Sequence, residues 1–452
     1  MLMVWRLLAA VVVVIIVGFG AFYAWAWNSE LPPANLSGAS FDPGIIAKGA
    51  KLAAIGDCAV CHTRAGGRPY AGGFPLETPF GAIYGTNITP DPQTGIGLWS
   101  EAAFRRAMRS GVDREGNHLY PAFPYDHFTK ATDSDISALY AFLMTRDPVE
   151  QENRPLALNP PLNWRLFAAG WKLLFLTRGA YQPDPKQSPE WNRGAYLVTG
   201  LAHCGACHTP RDAFGAETDD HFGGGTGEGW LAPALNASSP APVPWNADQI
   251  YAYLRTGFAD QHGFAAGPMQ PVVHSLRNVQ ESDLRAIAAY ISAVSGPQSR
   301  AEVERRTKAA LEFARSRDMT VSPKPSVEPA TTGSAATRQA SPGAAIFAGA
   351  CASCHHSGGT LPVSRPISLG LSTPVNEPDP TNLIRIVLGG IHPLAGDRGP
   401  IMPGFAGALT DRQIAALVSY VRSQFSGQPA WPDADELVSK LRQSTPPPME
   451  AP

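Results

Sequence analysis

The 452-residue chain carries 36 basic and 38 acidic residues, a formal net charge of −2. So even a balance, with no basic run, argues against a nucleic-acid partner. The length corresponds to about three domains, and the 43 prolines and 44 glycines imply much non-repetitive chain.

The first element is apolar. Leu7 to Trp27 is 21 residues without a charge. At about 1.5 Å per residue it is long enough to cross a bilayer core. Arg6 precedes it and no Lys or Arg follows until Lys48. That asymmetry predicts an N-terminus in the cytoplasm and the remainder outside. Phe22, Tyr23, Trp25 and Trp27 suit a membrane interface. The alternative is a cleaved signal peptide ending near Ala24-Trp25-Ala26.

Three copies of C-x-x-C-H follow: Cys58-Ala59-Val60-Cys61-His62, Cys204-Gly205-Ala206-Cys207-His208 and Cys351-Ala352-Ser353-Cys354-His355. They use all six cysteines. The motif is the attachment signature of c-type haem, with two thiols for the porphyrin vinyl groups and the His as proximal iron ligand. A zinc ribbon would need its C-x-x-C pairs close together. These lie 146 and 147 residues apart. Three covalent haem c groups are therefore expected on Cys58, Cys61, Cys204, Cys207, Cys351 and Cys354, with His62, His208 and His355 as iron ligands.

Around each motif the same pattern recurs. Short helical segments precede the motifs at Ile45–Ile55, Arg193–Ala202 and Gly343–Ala350. A second helix ends in Gly at Trp99–Gly111, Trp245–Gly257 and about Asp379–Gly390. A third helix closes each unit at Asp133–Met144, Ser282–Val294 and Thr410–Phe425, with Phe142, Tyr290 and Tyr420 at one equivalent position. Terminal helices meeting across an aromatic contact, with haem between, is the class I cytochrome c plan. The fold class expected is mainly α, with three tandem class I cytochrome c domains and an N-terminal transmembrane helix. The boundaries are 1–30 for the membrane anchor (or signal peptide), 41–146 for domain 1 and 147–189 for an insert with an amphipathic helix. Domain 2 is 190–300, followed by a linker at 301–342, domain 3 at 343–426 and a Pro-rich, disordered tail at 427–452.

The distal iron ligands follow from one spacing. Twelve residues after Gly257 stands Met269, and twelve after Gly390 stands Met402, both beside proline. A thioether in a proline-stiffened loop is a suitable sixth ligand, and Met/His ligation raises the potential. Twelve after Gly111 stands Phe123, which cannot ligate. Haem 1 then takes another donor or stays five-coordinate. His127, four residues on in the same loop, is the first choice; His118, Met108 and an open site are the alternatives. Bis-His ligation would give haem 1 the lowest potential.

Leu162 to Leu176 is an aromatic-rich amphipathic stretch, too short and too charged to span. It suits a membrane surface, a partner, or packing across two domains. Val321 to Pro342, rich in Pro, Ser, Thr and Ala, reads as a flexible tether. His203, His221, His262, His274, His356 and His392 lack ligand spacing and are read as structural or surface residues.

In the order of these motifs, together with Leu119-Tyr120-Pro121-Ala122, Asn192-Arg193-Gly194-Ala195-Tyr196-Leu197 and Met402-Pro403-Gly404-Phe405, the chain resembles the membrane-bound triheme cytochrome c subunits of periplasmic dehydrogenases. The resemblance covers about Phe41 to Phe425. It implies an electron-transfer subunit with no substrate-converting residue of its own. A catalytic subunit would pass electrons through three haems to ubiquinone or a terminal oxidase, at the periplasmic side of the inner membrane. The alcohol and gluconate branches of this family usually carry Met at the position of Phe123. The version here looks more like the branch that accompanies molybdopterin dehydrogenases with a 2Fe–2S subunit, of aldehyde or N-heterocycle type. Quinoprotein alcohol and flavin gluconate dehydrogenases are the alternative partners. A haem enzyme with haem 1 as an open catalytic site, and a terminal-oxidase subunit, are readings from other classes.

Overall fold

The computed structural model describes residues 2–34, 40–296, 299–318, 341–355, 368–394, 401–432 and 434–444. The chain divides into two compact units. The first comprises residues up to Pro183 together with Thr199–His203; the second begins at Asp184 and holds nearly all of the rest.

The first unit opens with α1 (Leu2–Ala26), an exposed apolar helix long enough to cross a membrane. Its main chain then runs to α2 (Pro43–Ile55), α3 (Glu101–Ser110) and α4 (Asp133–Met144). Between α2 and α3, β1 (Pro75–Thr78) pairs antiparallel with β2 (Gly81–Tyr84), and β2 also pairs with β3 (Ala157–Leu158). The insert supplies α5 (Arg165–Phe175). In the second unit, α6 (Pro189–Tyr196), α7 (Ala247–Thr256), α8 (Met269–Leu276) and α9 (Glu281–Val294) form domain 2. A helix α10 (Arg300–Asp318) leads on to α11 (Pro342–Ala350), α12 (Thr381–Gly389), α13 (Asp411–Val421) and α14 (Ala434–Ser444).

The helices before the haem motifs start for one reason in all three domains. Asp42, Ser188 and Ser341 each cap with the side chain, and Pro43, Pro189 and Pro342 occupy the first turn. A capping oxygen satisfies a free N–H, and proline at the first helical position sacrifices no hydrogen bond. In domain 2 the cap at Ser188 starts the helix at Pro189, four residues before the expected Arg193. The same helix continues as a single wide turn over Leu197–Leu201, kinked at Gly200.

Each of these helices crosses the closing helix of its domain at a glycine. A Cβ on Gly49 would overlap the Ala138 carbonyl oxygen. The same holds for Gly194 on Ala286 and Gly343 on Ala416. The three alanines are equivalent in the repeat, and Phe142, Tyr290 and Tyr420 stand four residues after them. Their Cβ atoms crowd the same glycines. Trp191 packs on Tyr290 at 5.0 Å and Phe347 on Tyr420 at 5.6 Å between ring centres, while Phe142 meets Tyr70 at 5.8 Å. Ion pairs add to the crossing in the first two domains, Lys48–Asp135 at 2.6 Å and Arg193–Asp283 at 2.8 Å.

Two segments differ from expectation. The linker 301–342 begins with α10, whose buried Ala314 packs with Val243 of domain 2 and Leu371 of domain 3. The tether expected over 321–342 lies almost wholly outside the described residues. The tail after Phe425, expected to be disordered, contains α14. Ala434, Val438 and Leu441 recur at helical spacing and join the core of domain 3. Trp431 is buried beside them, and Arg442 pairs with Asp411 at 2.6 Å. The Pro-rich flanks masked that periodicity.

Domains 2 and 3 touch through side chains. The Asn382 amide donates to the Leu231 carbonyl at 2.9 Å, and its oxygen accepts from the Leu231 N–H at 3.0 Å. Arg385 donates to the Gly229 carbonyl at 2.7 Å. Gln270 donates to the His392 carbonyl at 2.7 Å.

Candidate haem-binding sites

All three C-x-x-C-H motifs adopt the same helical turn. The N–H of His62 donates to the Cys58 carbonyl at 3.1 Å, that of His208 to Cys204 at 3.0 Å and that of His355 to Cys351 at 3.0 Å. Residues three and four apart share one helical face. The first Cys, the second Cys and the His therefore present two sulfurs and an imidazole on one side.

The first thiol of each motif is held in its protonated form by burial. Burial pushes the Cys58 thiol up to about 12, with Asp57 adding to the effect. Burial does the same for Cys204, to about 12, and for Cys351, to about 11. Zinc binding and thiol exchange need the thiolate. None of the six cysteines is disulfide-bonded.

The imidazoles are held as iron ligands require. His62 Nδ1 lies 2.6 Å from the Thr86 carbonyl oxygen, and His208 Nδ1 lies 2.8 Å from that of Pro233. A backbone carbonyl accepting from Nδ1–H fixes the tautomer and leaves Nε2 with its lone pair for iron. Burial pushes His62, His208 and His355 below the usual imidazole range, which keeps them neutral and able to ligate. The residues present thus fit a covalent haem at each motif. Thr86 and Pro233 escaped the sequence analysis. They follow their histidines by 24 and 25 residues and act through backbone carbonyls, which no side-chain pattern announces.

The distal loops share a backbone pin. The Leu119 N–H donates to the Gly111 carbonyl at 2.7 Å, and the Ala265 N–H to the Gly257 carbonyl at 2.8 Å. Gly111 and Gly257 both close their helices at positive φ, 59° and 76°. Phe123 and Met269 each follow the pinned N–H by four residues, and so occupy equivalent places in the fold. Met269 begins α8. In domain 3 the loop is pinned by a two-way bridge between Ile391 and Met402, at 2.9 and 2.8 Å.

Phe123 packs on Phe128 at 5.2 Å and on Tyr125 at 6.5 Å. His127 is buried, and its Nδ1 lies 2.9 Å from the Thr199 carbonyl oxygen. His118 has both ring nitrogens engaged: Nε2 lies 2.7 Å from the Ala26 carbonyl oxygen and Nδ1 lies 3.0 Å from Lys172 Nζ. Met108 is buried within α3. Of the other histidines, His262 stacks on Trp245 at 3.4 Å between ring centres. His203 packs on Phe128 at 5.6 Å. His356 lies outside the described residues.

Residues 46–147, 192–295 and 340–425 each match the Cytochrome c family. The chain belongs to that family. It is a cytochrome of three domains, each carrying a covalently bound haem c. The cytochrome is 45% identical to a nicotinate dehydrogenase subunit of Pseudomonas putida over 93% of this chain, and spans 34% of that relative's length. It is 35% identical to the gluconate 2-dehydrogenase cytochrome c subunit of Pantoea cypripedii, covering 89% of this chain and 90% of the relative. It is 34% identical to the cytochrome c subunit of the quinone alcohol dehydrogenase of Gluconacetobacter polyoxogenes, covering 89% and 85%. α1 is the membrane-anchor candidate of this cytochrome.

Proposed function

We propose that this cytochrome is the electron-transfer subunit of a membrane-bound dehydrogenase complex, taking electrons from a catalytic subunit that carries molybdopterin with a 2Fe–2S subunit. The identity to the nicotinate dehydrogenase relative, 45% against 35% and 34% for the gluconate and alcohol relatives, is the observation that carries the choice of partner. Phe123 in the place of a Met supports it. The second reading, a quinoprotein or flavin dehydrogenase partner, is favoured by relatives that align over 85–90% of their own length.

A haem c supplies reversible one-electron chemistry at its iron. The chain's residues position it and tune it. Cys58, Cys61, Cys204, Cys207, Cys351 and Cys354 hold the three groups, and His62, His208 and His355 ligate from the proximal side. Met269 and Met402 are the distal ligands of haems 2 and 3. His127 is the distal ligand of haem 1. Its Nδ1 rests on a backbone carbonyl, as do those of His62 and His208, the outer bond that a metal-ligating imidazole makes. Electrons leave toward ubiquinone or a terminal oxidase. The haem domains lie on the periplasmic side of the inner membrane, with the N-terminus of α1 in the cytoplasm.

Purification of the intact complex with cofactor analysis tests the assignment. Molybdenum and a 2Fe–2S signal copurifying with three haems support it. Pyrroloquinoline quinone or flavin instead would support the second reading. Rapid carbon monoxide binding to reduced haem 1 would point to the open site that a haem enzyme needs.

A further inference from the structure

The helix α5 has one face in the first unit and one face bare. Its inner face is fixed. Ala168, Ala169 and Lys172 are buried, and Trp171 packs on Tyr125 at 5.9 Å. Lys172 donates to the Gly111 carbonyl and lies 3.0 Å from His118 Nδ1, and His118 in turn meets the end of α1 at the Ala26 carbonyl. Arg165 donates to the His118 carbonyl at 2.9 Å. These bonds tie α5, the haem 1 distal loop and the exit of α1 into one piece.

The outer face carries Phe167, Gly170, Leu173 and Leu174 and no charge. Trp164 precedes it. Trp164 is 65% exposed, Phe167 44%, Leu173 60% and Leu174 71%. Four large apolar side chains that close together are costly to leave in water. A Cβ on Gly170 would meet Phe22 of α1 at 3.9 Å, so the apolar face of α5 continues the apolar surface of the anchor. Phe22 stands one turn before the end of α1, about 6 Å along its axis at 1.5 Å per residue. Interfacial helices bury their apolar face by about 5–10 Å into the headgroup and acyl boundary. Tyr23, Trp25 and Trp27 are exposed at the same end of α1, where an aromatic belt belongs. The exposed Arg178 follows the helix, a cation suited to lipid phosphates.

We propose that α5 lies in the membrane interface, with Phe167, Leu173 and Leu174 in the acyl boundary. The inference rests on α1 spanning the bilayer. Domain 1 is then held against the lipid at two places, the anchor and α5. Because Lys172 and His118 connect α5 to Gly111, the distal side of haem 1 is the part of the protein fixed to the membrane surface.

The test uses the full chain with its haems, in nanodiscs of phosphatidylcholine and phosphatidylglycerol. All six native cysteines are consumed by haem, so a nitroxide can be placed at L174C, at V14C in the anchor and at F214C on an exposed loop of domain 2. Collision with oxygen and with a water-soluble nickel chelate reports depth. Expected is a Leu174 position that favours oxygen, between the values at Val14 and Phe214. A Leu174 label as open to nickel as the one at Phe214, with Val14 deep in lipid, overturns the proposal and leaves the anchor intact. A Leu174 label shielded from both reagents means that protein, not lipid, covers α5, and also overturns it. A nickel-accessible Val14 overturns the anchor itself, and the proposal with it.

Discussion

His62 Nδ1 and the Thr86 carbonyl oxygen stand 2.6 Å apart, and His208 repeats the arrangement with Pro233 at 2.8 Å. An imidazole fixed in this way has one nitrogen left for iron. Replacing His62, His208 or His355 by Ala is expected to remove one of three low-spin haem signals and leave the other two. Electron paramagnetic resonance of each oxidised variant checks this. Loss of two signals from one substitution would contradict a one-to-one assignment.

Phe123 stands where Met269 stands in the next domain, four residues beyond the same backbone pin. Phe123→Met should therefore give haem 1 a thioether and raise its potential, within the span of about 0.8 V over which axial ligands set haem potentials. Met269→Ala and Met402→Ala should each lower one potential. A spectroelectrochemical titration resolves the three steps. An unchanged lowest step in Phe123→Met would show that the ring is not near the iron.

The helix crossings leave no room for a side chain. Gly194→Ala and Gly343→Ala should each cost about 1–3 kcal/mol through overpacking. Gly349 also lies in α11 but has nothing within 4 Å, so Gly349→Ala should be neutral or stabilising by up to about 1 kcal/mol. Thermal denaturation followed by calorimetry compares the three. Equal melting profiles would refute the close approach.

Glu377 is buried, and burial pushes its carboxyl up to about 7, against the opposing hydrogen bond from Asn382. A carboxyl raised in the folded state stabilises below its unfolded value and loses that contribution as pH rises through 7. The shift corresponds to about 3 kcal/mol at most. Glu377→Gln should leave domain 3 unchanged at pH 5 and more stable than the parent at pH 8. Hydrogen exchange of α12 and α13 at the two pH values reads this, and a parent protein equally protected at both would contradict it.

The last helix is part of the core of domain 3. Val438→Asp places a charge where Val438 is fully buried, and should cost several kcal/mol. Proteolysis of domain 3 should quicken while domain 1 stays resistant.

The repeat made the domains legible. C-x-x-C-H, the helix-ending glycines and the aligned Leu139, Ile287 and Leu417 are local signals, and the helices at Asp133–Met144 and Glu281–Val294 follow them closely. The helix starts at Pro43 and Pro189 are written in the Asp42 and Ser188 caps, ahead of the expected Ile45 and Arg193. α14 was hidden because prolines flank a short amphipathic run. Thr86, Pro233 and the Asn382–Leu231 contact join residues far apart in sequence through backbone atoms, which side-chain patterns do not report. Lys172 of the amphipathic α5 points inward, because the Gly111 carbonyl and His118 satisfy it, while Phe167, Leu173 and Leu174 face out.

Non-equivalent haems are the central claim, and near-infrared magnetic circular dichroism of the oxidised full-length protein tests it most directly. Sulfur–iron ligation has its own charge-transfer signal. Two haems should show that signal and a third, haem 1, should lack it, the third changing in His127→Ala. Three thioether-ligated haems, or a haem 1 untouched by His127→Ala, would contradict it.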